Sequence, residues 1–383
     1  LQVDGAITGS STINGVGISS DITNFSQSLL ISQDAGTGTL DSASFNTGFG
    51  YNVFDVLTTG DRNSSFGRVA LSALTTGESN TAVGNAALGS NTTASNNTAV
   101  GASALNANTT GTSNTSVGYQ ALRDNTTASN NTAVGLNSLA LNTTGASNTA
   151  SGVSSLLVNT TGGGNVAIGV NALVANTTAD NNTAVGVSSL AANTTGHQSV
   201  AIGSGALAAN TTAHSNTAVG YNTLNDNTTG TLNTAIGTFT LDVNTTGDNN
   251  TGLGYGALSA NTTADNNTAV GHLALLANTI GHSNTAVGKD ALSANTSADY
   301  NTAIGWNALI ANTANLNTAV GAAALGANTT GAENVAVGSN ALDANTEGSS
   351  NVAVGQGALD TNTTASNNTA VGHDSMKSNT TGA

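Results

Sequence analysis

The chain has 383 residues, with 5 Lys plus Arg against 20 Asp plus Glu, a net charge of −15, and neither Pro nor Cys. The acidic balance argues against nucleic acid and anionic membrane surfaces as partners. The lack of Cys excludes disulfide staples, a Cys nucleophile and zinc–thiolate sites, and no apolar run reaches the roughly 20 residues of a membrane-spanning helix.

Residues 1–45 carry Val3, Ile7, Ile13, Val16, Ile18 and Ile22 spaced among Gly, Ser, Thr and Asp, which predicts short strands and turns. Phe25, Leu29, Leu30 and Ile31 are the densest apolar cluster there. The segment reads as a β-rich cap over the open end of the first coil, or as a joint to an upstream shaft. The opening Leu1-Gln2-Val3 has no Met and no signal-like core, and Ala383 falls within a repeat. The expectation is a mature product or a fragment.

Residues 46–79 form two atypical coils, with Phe49, Phe54 and Phe66 where later coils have Val or Leu. They are expected to be core residues of a tapering end. From Asn80 to Ala383 the repeat is regular. Asn80-Thr81-Ala82-Val83-Gly84 restarts at Asn97 and at Asn114, a period of 17. A fixed period of this size marks a solenoid.

The columns of the repeat carry the physical content. The closing Gly recurs 20 times from Gly50 to Gly372, with one step of 16 between Gly305 and Gly321. The lost residue lies between Asn312 and Asn317, which marks that segment as a loop. Gly at this position fits a positive φ or a close approach to a neighbour. A Leu column (Leu71, Leu88, Leu105) follows each Gly by four, and a Val, Ile or Phe column precedes it by one. Both are expected to form the core, with Thr81 and Thr98 facing inward beside Val83 and Val100 and the Ala column facing the other way. The Asn three after each Leu, from Asn91 to Asn379, reads as a stacked turn ladder. Recurrent Gly and Asn-Thr-Thr-Gly exclude helix. Zero Pro fits uninterrupted ladders. The expected fold is all-β, a parallel β-solenoid of about 20 coils, roughly 95 Å long at about 4.8 Å per coil.

Several coils read Asn165-Val166-Ala167-Ile168-Gly169, Ser199-Val200-Ala201-Ile202-Gly203, Asn334-Val335-Ala336-Val337-Gly338 and Asn351-Val352-Ala353-Val354-Gly355. This phrase resembles the head repeat of trimeric autotransporter adhesins, the YadA-like heads. The Asn-Thr-Ala-Val-Gly form is similar to repeats of bacteriophage and virion tail fibres. The resemblance implies a left-handed β-roll with two short strands per coil, three chains side by side, and Val166, Ile168, Val200, Ile202, Val335, Val337, Val352 and Val354 pointing into the roll. The coils here are longer than the usual head repeat, and Thr often replaces its first Val. No heptad stalk, membrane barrel or fibre chaperone is visible, which favours a tail fibre over a complete autotransporter.

The residues alone also favour trimerisation. Two large aliphatics per coil are a thin core for 17 ordered residues, and the Ala82-type and Ala87-type columns would let chains come close.

The search for chemistry returns little. No Ser–His–Asp arrangement, carboxylate pair or phosphate loop stands out, so no catalytic residue, cofactor or metal ligand is assigned, and the expected protein is not an enzyme. His197 and His214 share one loop column with Asp180, Asp248, Asp265, His282 and Asp299. That column reads as a cation edge or as a solvated turn. The residue after each repeat Gly varies, and holds Tyr51, Tyr119, Tyr221, Tyr255 and Trp306. Tyr119, Tyr221, Tyr255 and Trp306 are the candidate binding residues, as platforms for a sugar or an apolar partner. The competing reading is that each ring covers a neighbouring Gly. The expected function is structural: the shaft or head of a homotrimeric, extracellular fibre on a virion or bacterial surface, attaching to a host glycan or protein. Alternatives are a glycan- or ice-binding solenoid and a self-assembled extracellular filament.

Overall fold

The computed structural model describes residues 9–13, 16–22, 25–32, 41–380 and 382. Val3 and Ile7 lie outside them. The described residues hold strands and turns and no helix. The chain forms a parallel β-solenoid of about 20 coils with a 17-residue period. Contacts divide it into two compact units, Leu1–Ser188 and Ser189–Ala383.

In the first unit, β1 (Gly9–Ile13), β2 (Val16–Ile22) and β3 (Phe25–Ser32) make an antiparallel meander. β3 then pairs in parallel with the two-residue β4 (Ala43–Ser44) and with β5 (Thr47–Phe49), Leu30 opposite Gly48. Leu30 is buried and Leu29 is exposed. From β5 onward each coil contributes one three-residue strand, from β6 (Ser64–Phe66) through β7 (Thr81–Val83) to β13 (Thr183–Val185), stacked in parallel and in register. The second unit repeats this from β14 (Val200–Ile202) to β24 (Thr369–Val371).

Each coil has one strand, where the resemblance implies two. The reason lies in the segment after the column Gly. The Leu column adopts left-handed backbone in every coil, at φ 48–56° including Phe54 and Met376, and most residues two before it are left-handed as well. A left-handed bulky residue costs roughly 1–2 kcal/mol, so this wall turns instead of extending. What holds it is the next coil: Leu105 N–H donates to the Ala121 carbonyl and Ala107 N–H to the Arg123 carbonyl.

The strand faces opposite to expectation. Ala is buried, Thr is half-buried, and Val or Ile is exposed in most coils. Val83, Val100, Ile168, Ile202, Val337 and Val354 are 36–42% exposed, and Phe49 and Phe66 join them on the surface. Of the three Phe assigned to the core, only Phe54 is there. Val166, Val200, Val335 and Val352 are half-buried on the same outward side. The cause is volume. The inside of a regular coil is filled by one Leu, small residues and two Asn, so only a small residue, Ala in most coils, fits opposite; in the first two coils Leu57 and Leu74 are buried where later coils have the Asn91-type Asn.

Exceptions obey the same rule. Val53 and Phe54 are larger than their counterparts, and Gly48 stands where other coils have Ala; a methyl there would approach Leu30 Cδ1 at 2.8 Å and Val53 Cγ1 at 2.9 Å. Thr240 replaces an Ala, and Gly252 on the next coil gives the room. Ala82 and Ala87 are fully buried, so they cannot be the surface on which chains approach.

The repeat Gly satisfies both of its readings. Its φ runs from 126° to 144°, and a Cβ on Gly118 would collide with the Gly135 carbonyl one coil on. The 16-residue coil is shortened where expected. There Asn317 Nδ2 reaches Asn312 Oδ1 at 3.1 Å, and Thr302 still pairs with Thr318.

Two buried Asn ladders run through each unit. In the column of Asn91, the Nδ2 in most coils donates to the previous Oδ1 and to a carbonyl three residues on, as Asn108 does to Asn91 (3.1 Å) and to Gly111 (2.9 Å). The Asn that opens each coil but one, where Ser199 stands instead, forms the second. Asn114 N–H donates to Asn97 Oδ1 at 3.0 Å, and its Nδ2 to the Ala128 carbonyl at 2.9 Å. Asn125 Nδ2 donates to that same carbonyl at 3.0 Å. Both ladders therefore meet on the carbonyl of one Gly/Ala column. The second ladder was not anticipated; its signal was the regularity of Asn80, Asn97 and Asn114.

Candidate binding surface

The column after the repeat Gly is on the surface. Tyr119, Tyr221, Tyr255 and Trp306 are 51–55% exposed. In the second unit the fold gathers some of them. Tyr221 meets Phe239 edge-on at 5.6 Å, Phe239 meets Tyr255 edge-on at 6.2 Å, and Tyr255 stacks on His272 at 5.4 Å. This strip covers four successive coils. Trp306 stands two coils beyond His272, and Tyr119 lies in the first unit. Phe239 and His272 escaped the sequence reading. Phe239 sits one position off the column, and His272 sits in it without being one of its Tyr or Trp residues.

In the first unit the same column continues from Tyr119 as Leu136, Val153, Val170 and Val187, all exposed. It runs beside the exposed Val117, Val134 and Ile168, separated from them only by the repeat Gly. The two columns place exposed apolar side chains on either side of the repeat Gly in these coils.

The His/Asp loop column is a hydrogen-bond ladder. Asp248 Oδ1 accepts the Thr231 N–H at 2.6 Å, Asp265 Oδ1 accepts that of Asp248 at 2.7 Å, and Asp299 Oδ1 accepts that of His282 at 2.7 Å. His197 and His214 stack with centroids 5.0 Å apart and planes 3° from parallel. Parallel stacked rings point their lone pairs side by side, which is poor geometry for a shared cation. Among the described residues no three His, Asp or Glu converge on a metal-sized site, and no helix is long and apolar enough to cross a membrane.

Two carboxylates are electrostatically unusual. Burial raises the pKa of Asp242, with Asp226 adding to the rise and a Ser259 hydrogen bond opposing it. Burial, then Asp360, raises that of Asp343. Both disfavour the ionised form, so their contribution to stability is greatest in acid and declines as pH rises through the raised pKa. No protein family, curated protein or solved structure matched this chain.

Proposed function

We propose that the chain is the shaft or head of a homotrimeric fibre, a left-handed β-roll as in the YadA-like heads, standing on a virion or a bacterial surface and projecting or mediating attachment to a host. The observation that carries this is the outward Val, Ile and Phe column. Soluble monomers rarely leave contiguous apolar patches beyond a few hundred Å² in water, and here an aliphatic side chain is exposed in most coils. A lengthwise band of this kind suits a parallel partner with the same repeat. The interior adds weight, since in the regular coils from Asn80 onward the column Leu is the one large aliphatic buried within a single chain, among the described residues.

Light scattering and crosslinking of the full chain should report three chains per particle. Val100→Asp with Val117→Asp should shift the population to smaller particles. A stable, folded wild-type monomer at micromolar concentration would refute the reading.

Attachment is assigned to the exposed rings, whose weak single contacts would add along three chains. Replacing Tyr119, Tyr221, Tyr255 and Trp306 together with Ser should cut host-cell attachment several-fold while melting stays cooperative, because the interior uses the Leu and Asn columns. If melting collapses, the rings were structural; if attachment is unchanged, adhesion belongs elsewhere.

A second reading has its own observation. Thr76, Thr93, Thr110, Thr127, Thr144, Thr161 and Thr178 form an exposed file in the first unit, a regular array that suits a glycan or ice surface. Thermal hysteresis separates ice binding from the fibre reading.

A further inference from the structure

At one loop corner, the eleventh residue after the repeat Gly or the tenth in the 16-residue coil, the side chain in several coils accepts a backbone N–H from one coil earlier. Asp61 serves Ser44, Ser95 serves Glu78, Ser129 serves Thr112, Asn315 serves Asp299 and Ser349 serves Ala332. Carboxylate, amide and hydroxyl oxygens all remain acceptors through the weakly acidic range. His282 differs. Its Nδ1 accepts the Asp265 N–H at 2.9 Å, which only a neutral ring protonated on Nε2 can do. Imidazole is the side chain whose charge changes between about pH 5 and 8. Once Nδ1 is protonated, two donors face one another. An alternative partner is at hand, for Asp265 Oδ2 lies 3.8 Å from the same Nδ1.

We propose that His282 is an acid-operated switch at the corner of one coil. Neutral, it holds the Asp265 N–H. Protonated, it releases that N–H and pairs with the Asp265 carboxylate. The titratable groups facing it come from the two adjoining coils. Asp265 is on the preceding coil. On the following coil are Asp299, which accepts the His282 N–H, and Tyr300, whose N–H donates to the His282 carbonyl at 3.2 Å. The result is an exchange of partners at one corner, while the core is untouched. The region is distinctive in a second way. Ile280, Tyr300 and Leu316 are exposed at positions where most coils carry Thr or a small polar residue.

Hydrogen exchange on the full chain tests the switch. The readout is protection of the peptide containing the Asp265 amide, divided by that of the peptide containing the Ala332 amide, whose acceptor is the non-titrating Ser349 hydroxyl. The ratio should fall roughly fivefold or more from pH 7.5 to pH 5.0, as imidazole takes up its proton. In His282→Asn the ratio should be independent of pH, because an amide does the same work at Asn315. A wild-type ratio that stays constant with pH overturns the proposal, whether or not the variant folds. A pH dependence that persists in folded His282→Asn overturns it equally.

Discussion

Gly118→Val should remove cooperative folding from the middle of the first unit. Two independent faults arise. The backbone sits at φ 136°, which β-branched residues avoid, and the new Cβ would overlap the Gly135 carbonyl. Neither is relieved by a rotamer change, because the colliding atom is backbone. Moving the neighbouring coil away would break the ladder bond from Gly118 N–H to the Val100 carbonyl (2.8 Å) or that from Gly135 N–H to Val117 (2.8 Å). Strained φ costs of order 1–3 kcal/mol, and with lost ladder bonds the total should reach about 4 kcal/mol. Each coil contacts only its neighbours, so the damage should be local in a solenoid. Thermal melting should fall, and limited proteolysis should cut first near residues 101–135. Gly163→Ala is the matched control. Gly163 lies outside the positive-φ region, and the preceding coil carries Ala146 at the equivalent place; its Cβ would meet the Ala146 carbonyl oxygen at 3.0 Å, which a shift of a few tenths of an ångström relieves, so this change should cost far less than Gly118→Val. Unchanged melting and proteolysis in Gly118→Val would refute this account of the column.

The contrast between those two glycines shows what was legible in the sequence. Gly118 belongs to a column that never varies, and Gly163 to one that also accepts Ala, Ser, Thr, Asp and His. Columns without variation report a backbone constraint, and the period, the shortened coil and the Asn91-type ladder were readable on that logic. The facing of Thr-Ala-Val was not. Alternation tells that Ala and Val lie on opposite sides, and the habit of placing apolar residues inside then chose the wrong side. The deciding quantity was interior volume, set by how closely two walls approach, and no single coil displays it. The left-handed Leu was hidden for another reason: a bulky residue at positive φ is disfavoured locally, so propensity points away from it, and only stacking on the next coil explains it. The aromatic strip was half legible. Its column was visible, but the contribution of Phe239 needed the contact between coils.

Asn131→Ala should be the most damaging small substitution in the interior. Asn131 is fully buried. Its Oδ1 accepts the Asn148 N–H at 2.9 Å, and its Nδ2 donates to the Gly145 carbonyl at 2.9 Å. A methyl satisfies neither. Each orphaned buried group costs about 1–3 kcal/mol, so the pair should cost roughly 4 kcal/mol. The other ladder softens one loss, because Asn142 Nδ2 also donates to Gly145 at 2.9 Å. The Asn148 N–H has no such second partner from the other ladder, so the larger share of the effect should fall there. Asn131→Ser is the informative comparison. Ser199 occupies this column in the second unit and accepts the Asn216 N–H through its hydroxyl at 3.3 Å. Asn131→Ser should therefore retain an acceptor, at a longer distance, and lose about half as much stability as Asn131→Ala. Melting curves of the two variants, with hydrogen exchange at Asn148, check the order. Equal losses would mean that the donor to Gly145 dominates, and an absence of loss in Asn131→Ala would mean that the ladder follows the stacking of the coils instead of holding it.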